Sequence, residues 1–491
     1  MESKNAFKLS LFAFVLLTCA ALMSIRTVPT QGVVGWQAIA FCIIAVIIYL
    51  IPASLVSAEL ATGWPQEGGV YVWVKNAFGQ KWGFTAIWLQ WFQMTIGFIS
   101  ILTFIAATLA YLIDPALASN KLFEFLIIVL VWWGFTFLNF KGLKMYSKIS
   151  SISVIIGTFI PAAVLILGGL WYISSGNPVQ LTLTPTLADL LPDFSSLSNL
   201  VLLVTFVFVF IGIEMTATHA NEIKDVQKNY PLGILIVGIL TTIVGVIGAL
   251  IVAMLVPAAH LNLLAGIMQT FQVIFQGVGL AWLVKVFALL IVIGAMGQVS
   301  TWILGPVRGL FATAREGTLP PILQKKNENG IPTNMLILQA LMITFWGAVY
   351  VLLPGGVNSS FWMLFALTTA VYIVMYFLMY AAAIRLRYSQ PNVPRPFSIP
   401  GGKLGMWIVA GFGFLSMAFL FILALMPPSQ IKESSNYLTF MLIGTLVVVA
   451  VPLIIYHFKK PEWKLASSET EEKPPAAKKP KPKKPKKARK R

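Results

Sequence analysis

An all-α integral membrane protein of about twelve transmembrane helices is the fold class that three features of this chain predict. Of its 491 residues, 58 % are hydrophobic and only 11 % charged, where a soluble protein carries about a quarter charged residues. Segments such as Ile39 to Ala58, Ile152 to Ile173 and Pro231 to Ala259 run without a charge for at least the roughly 18 residues a bilayer crossing needs. Basic residues fall in alternate connecting segments, as expected of a chain that crosses a membrane many times.

The spans lie near 8–28, 36–60, 82–112, 121–140, 148–174, 197–223, 231–257, 281–313, 334–354, 360–386, 404–426 and 436–458. The first follows Lys4 and Lys8 and has a competing reading as a signal peptide, with Leu17-Thr18-Cys19 faintly like a lipoprotein cleavage site. Its length and the many spans after it favour a transmembrane helix. The two cysteines, Cys19 and Cys42, sit in apolar stretches and suggest neither a disulfide framework nor a metal site. No cofactor is indicated.

With the N-terminus placed in the cytoplasm, the inner segments before the tail hold seventeen basic residues and the outer ones only Lys121 and Lys432. Adding Arg26 and Lys285, inside the outer ends of spans, leaves the bias strong, so both termini are expected to be cytoplasmic. The outer loop from about Ser174 to Asn199 fits, with Asp189 and Asp193 and no basic residue.

Two spans carry small or polar residues where continuous apolar surface is usual. One is span one at Thr18-Cys19-Ala20-Ala21; the other is span six at Gly212-Ile213-Glu214 and Thr216-Ala217-Thr218-His219. Each lies ten residues from the nearest inner lysine, about 15 Å at 1.5 Å per residue, hence near the midplane. Interrupted helices one and six of twelve are what an inverted repeat of five plus five spans gives, with substrate held where the backbone unwinds. Small-residue packing between helices is the competing reading.

Ser57-Ala58-Glu59-Leu60-Ala61-Thr62, Pro65, Gly68-Gly69-Val70-Tyr71-Val72-Trp73-Val74, Phe78-Gly79 and Gly83-Phe84, with Phe210-Ile211-Gly212-Ile213-Glu214, resemble the amino acid/polyamine/organocation transporter superfamily. Within it the chain is most similar to the glutamate/γ-aminobutyrate antiporter family. The residues that carry this are Thr218-His219-Ala220-Asn221-Glu222 with Asn229-Tyr230-Pro231, Ala265 to Phe271, Ser300 to Gly309 and Phe397 to Lys403. The resemblance runs from about Leu9 to His457. It implies a LeuT-like fold with helices one and six broken, amino acid exchange across a bacterial inner membrane by alternating access, and no chemical reaction. It also implies that substrate is enclosed by aromatics on spans six, eight and ten, here Phe208, Trp302 and Tyr372, beside Thr18, Cys19, Ala20, Ala21, Gly212 and Ile213. At the end of span one the chain departs from that family: an aromatic, acid, aromatic, proline run is replaced by Arg26-Thr27-Val28-Pro29. The family's substrates therefore do not carry over directly, and Gln93 and Gln298 do not decode into one amino acid.

Charges inside the membrane supply the candidates for gating or proton linkage. Glu214 leads, because a carboxylate near the midplane is expensive unless paired, neutralised or facing water; a purely structural hydrogen-bonded acid is the alternative. His219 and Glu222 are three residues apart and share a helix face. Arg26 either snorkels to headgroups or turns inward, where it attracts anions. Lys285 is expected to snorkel, and Glu59 to be structural.

The net charge of +18 is divided between a basic tail and the rest of the chain. From Lys459 to Arg491 there are 14 basic and 4 acidic residues with repeated prolines, so the tail is expected to be disordered and to associate with anionic lipid headgroups. Nucleic acid is disfavoured as a partner, since no aromatics interleave the lysines. The expected domains are a transporter of residues 1–458, with repeats at about 8–174 and 197–386 and two further helices at 404–458, followed by the tail 459–491. Amino acid antiport is the expected function. Proton-coupled symport on the same fold and a transporter-like sensor are the alternatives. An enzyme is not expected, and the oligomeric state is not encoded in any recognisable pattern.

Overall fold

The computed structural model describes residues 8–66, 68–141, 153, 155–195, 197–216, 223–303, 305–428 and 436–464. It is all-helical, with no strand among the described residues. Among the described residues ten helices are long and apolar enough to cross a bilayer, from Gly35–Gly63 to Tyr437–His457. The spans missing from that set are the first, made of Leu11–Leu22, Ile25–Thr27 and Val28–Gly32, and the sixth, made of Leu197–Leu200, Leu203–Phe208 and a turn-rich stretch to Thr216. Twelve spans result, and the two predicted to be interrupted are the two that are broken.

Apolar side chains at helical spacing point outward over much of the surface, for example Leu126, Leu130 and Phe137 on span four and Ile408, Leu415 and Ile422 on span eleven. Such continuous apolar faces mark contact with lipid. Spans three, Gln80–Ile113, and ten, Val357–Ser389, are the enclosed pair: 78 % and 83 % of their most apolar windows are buried, against 22 % for span twelve. The centre of the bundle is therefore built on these two helices, and spans eleven and twelve lie at its edge.

Prolines explain the local departures from α-helix. Pro52 in span two and Pro161 in span five lack an N–H, and each follows a wider π turn, Val46–Leu50 and Ile155–Phe159. The extra residue per turn relieves the clash and the missing hydrogen bond. In span five that turn brings Gly157 against Gly294 of span eight: a Cβ on Gly157 would lie 2.3 Å from the Gly294 Cα. The two backbones touch, as small residues permit between membrane helices.

Polar ties close the face where spans two and ten end. Glu59 accepts both Arg387 Nε at 2.6 Å and Nη2 at 2.5 Å, the Ile399 N–H at 2.8 Å, and has Arg395 Nε at 3.3 Å. The structural role read for Glu59 matches this geometry. Burial holds the Arg395 guanidinium below its ordinary range, and Glu59 pulls it back up. Just before span three, Lys75 Nζ and the Tyr71 hydroxyl both donate to Glu316, each at 2.5 Å.

The folded chain continues six residues into the segment expected to be tail. Lys459 Nζ donates to Gln80 Oε1 at 3.1 Å, and the Trp463 carbonyl accepts Gln324 Nε2 at 2.8 Å. Pro461–Trp463 form a 3-10 turn whose following residue, Lys464, packs on Gly317. Tyr456 and Trp463 give Lys459 to Lys464 something to pack against. Residues 465–491, which hold most of the basic tail, lie outside the described residues.

Replacing Gly157 by Ala should force spans five and eight apart at a cost of about 1–3 kcal/mol, read as a lower melting temperature in detergent. Gly134→Ala, with nothing within 4 Å of its Cβ, should leave melting unchanged or slightly raised.

Candidate functional site

The helix Leu11–Leu22 closes at Met23, whose extended backbone lets its N–H return to the Cys19 carbonyl at 2.8 Å. Ser24 is extended as well and accepts the Arg26 N–H on its hydroxyl at 3.3 Å, starting the single turn Ile25–Thr27. The break in span one therefore lies at Met23 and Ser24, and the expectation of a break at Thr18-Cys19-Ala20-Ala21 is corrected: all four are helical. Alanine is the best helix former, and nothing at these positions frees the backbone. The residues that span one gives to the central cavity are Leu22, Ser24, Arg26 and Thr27; Thr18 and Cys19 are buried in packing.

Span six breaks where expected. Gly212 has φ +98°, a conformation that L side chains rarely adopt. A Cβ there would also meet the Trp302 ring at 2.7 Å. Backbone freedom and close approach both require glycine at this position. Ile213 is fully buried behind the break.

A cavity of about 60 Å³ opens between the two breaks, room for several water molecules. Phe208, Trp302 and Tyr372 all line it, as does Arg26. Phe208 is backed by Phe365, ring centres 4.3 Å apart. Span three adds Gln93, Met94, Gly97 and Ile101, and span eight adds Gln298.

Glu214 is buried and stands one hydrogen bond behind the wall. Its carboxylate accepts the hydroxyls of Tyr372, on one oxygen, and Tyr376, on the other, with Gln90 Nε2 at 3.1 Å. Tyr49 donates in turn to Tyr376, oxygen to oxygen 2.5 Å. Three donors from spans three and ten thus meet one acid from broken span six, and span two extends the chain. His219 and Glu222 lie outside the described residues. Lys285 is exposed at the start of span eight, away from the cavity lining. Arg26 does not snorkel: it is 8 % exposed.

Sequence reasoning did not single out Tyr376, Tyr49, Gln90 or Ser100. A signal existed for three of them. Tyr372, Tyr376 and Tyr380 recur every four residues on one face of span ten, and Gln90, Gln93, Gly97 and Ser100 form a polar stripe along span three. Tyr49 has no such pattern.

A central cavity between two broken helices, within twelve membrane spans, defines a multi-pass membrane transporter. The chain belongs to the amino acid permease family, whose model matches residues 9–449. It is 37 % identical over 463 residues to an uncharacterized transporter of Legionella pneumophila, covering 94 % of this chain and 98 % of the relative. It is 35 % identical over 459 residues to a glutamate/gamma-aminobutyrate antiporter of Lactococcus lactis subsp. lactis, covering 92 % and 91 %. A probable agmatine/putrescine antiporter of the same organism is 24 % identical, covering 91 % and 94 %.

Gly212→Ala should strain the backbone by about 1–3 kcal/mol and displace Trp302, lowering amino acid exchange in proteoliposomes at least tenfold. Trp302→Phe in the same chain removes the ring that the Cβ meets. If the clash with Trp302 contributes to the defect, the double variant recovers part of the size-exclusion stability lost by Gly212→Ala.

Proposed function

We propose that this chain exchanges amino acids across a bacterial inner membrane by alternating access. The observation that carries the reading is the cavity at the two breaks, walled by Phe208, Trp302 and Tyr372, with the Glu214 carboxylate directly behind Tyr372. Aromatic walls exclude water around a small side chain. The breaks at Met23, Ser24 and Gly212 put irregular backbone and half-helix ends beside the cavity, and their partial charges suit the two charged ends of an amino acid. The names of the Lactococcus relatives support exchange over one-way uptake.

The halves 8–174 and 197–386 act as inverted repeats whose relative rocking exposes the cavity to each side in turn. The lysine and arginine excess in one set of loops supports a cytoplasmic location for that face and both termini, and the basic tail lies along anionic headgroups there.

Glu214 links this motion to protons. A carboxylate that accepts three donors loses one acceptor position when it is protonated and gains an O–H of its own. Three donors already occupy the carboxylate's roughly four acceptor sites, so a proton takes the last one or displaces a donor, and the charge-assisted bonds from Tyr372, Tyr376 and Gln90 weaken. Because the acid is on broken span six and the donors are on spans three and ten, a proton changes how the broken span is tied to the enclosed pair. His219 and Glu222, a few residues further along the sequence, are the other titratable candidates of this stretch.

The test is counterflow into proteoliposomes preloaded with single amino acids and assayed with labelled ones across a range of pH. Uptake only with internal counter-substrate is expected. Uptake into empty vesicles driven by a proton gradient would replace antiport by symport, and binding without uptake would make the chain a sensor. Glu214→Gln, which keeps the shape and removes the titration, should flatten the pH profile; an unchanged profile removes Glu214 from the proton role.

A further inference from the structure

Arg26 is a cation in the wall of the cavity with no anion beside it among the described residues. It sits on the single turn Ile25–Thr27 just after the break of span one, 8 % exposed. Nη1 donates to Ser100 Oγ at 2.6 Å, and Nε has no hydrogen-bond partner. No carboxylate lies within ion-pair distance of it among the described residues. The polar groups that share the cavity wall with it are Ser24 and Thr27 from span one, Gln93 from span three, Gln298 from span eight and Tyr372 from span ten, all without formal charge. The acid behind Tyr372, Glu214, has its two oxygens engaged by Tyr372, Tyr376 and Gln90.

A guanidinium stays charged in any protein environment, and its planar fork of donors matches a carboxylate. Burying it unpaired is unfavourable, so such a group is retained where something else supplies the anion. Ser100 fixes one end of the fork and leaves Nε unmatched. Nothing among the described residues fills that position, and the cavity it borders is where substrate is read to bind.

We propose that Arg26 is a carboxylate-binding subsite of the cavity: it pairs with a carboxylate of the bound amino acid and rejects compounds that bring an amide or a further cation to that point. The proposal rests on the reading of this cavity as the transport site. A carboxylate there comes from the α-position or from an acidic side chain, and amide analogues separate the two.

The experiment uses the full chain in proteoliposomes. Counterflow with the twenty proteinogenic amino acids and 4-aminobutyrate first identifies the substrate exchanged fastest. Competition then compares that substrate with its α-amide and, for glutamate or aspartate, with the side-chain amide; putrescine serves as the carboxylate-free dication. In the wild type, the amide that removes the relevant carboxylate and putrescine should compete at least tenfold less well. In Arg26→Gln the KM for the acid should rise at least tenfold, and its preference over that amide should fall below twofold. Arg26→Lys should recover only part of that preference, because an ammonium lacks the fork.

If Arg26→Gln does not give a monodisperse protein, Ser100→Ala takes its place. It frees Nη1 while keeping the charge, and should raise KM about threefold with the acid still preferred. A variant Arg26→Gln that exchanges with unchanged KM and an unchanged acid-over-amide ratio overturns the subsite while leaving the antiport reading intact; so does an unchanged KM in Ser100→Ala where that variant stands in. A wild type that exchanges none of the compounds overturns the antiport reading and the subsite with it.

Discussion

One acid in the middle of the bundle organises the rest of it. Glu214 sits on the broken part of span six, and no water-filled groove or basic side chain is needed to hold it: Tyr372, Tyr376 and Gln90 supply three donors. In hydrocarbon a polar group without partners costs several kcal/mol, so these contacts dictate which faces of spans three and ten look inward. Those two spans are also the most enclosed. The break is thereby fastened to the stiffest part of the protein. Tyr49 behind Tyr376 draws span two into the same chain of hydroxyls.

The geometry of the break follows from the same constraint. A regular helix through Gly212 would satisfy its own backbone and present one continuous face. With φ +98° the chain turns aside, and the Trp302 ring occupies the space where any side chain at that position would stand. Unwound backbone survives at membrane depth only where it is covered by protein or faces a cavity, and here both hold. Span one reaches the same condition differently: two extended residues, Met23 and Ser24, interrupt it without a glycine, and the Ser24 hydroxyl takes up one freed N–H. At one end of the bundle the two broken spans are joined again, since the Leu9 carbonyl accepts the Lys224 N–H at 3.0 Å and Leu9 pairs with Ile223.

Much of this was legible from residue chemistry alone. The spans announce themselves because hydrocarbon demands long uncharged runs, and the break in span six because Gly212 and Glu214 are each poor occupants of a lipid-embedded helix. Phe208, Trp302 and Tyr372 came from resemblance, and they do line one cavity. The break in span one was misread by about five residues. Thr18 to Ala21 are small, but smallness does not disrupt a helix, whereas the extended conformation at Met23 and Ser24 comes from how the next turn packs and leaves no mark in composition. The inward orientation of Arg26 was equally hidden, since snorkelling and burial suit the same residue near a helix end. Ser100, seventy-four positions away, decides between them.

The excess of positive charge takes on a narrower meaning in this light. Most of it belongs to the connecting segments and to the tail rather than to the spans. Inside the bundle the balance is local: a cation at Arg26 borders the cavity, and an acid at Glu214 stands behind Tyr372 on its wall. The field across such a space is dipolar, because low-dielectric walls of Phe208 and Trp302 screen neither charge well. On the proposed reading, a zwitterion with its carboxylate toward Arg26 is held better than one turned the other way. Orientation and charge selection would then both follow from Arg26. Moving the acid relative to the cation, which is what rocking span six against span ten would do, alters how tightly the cavity holds its occupant.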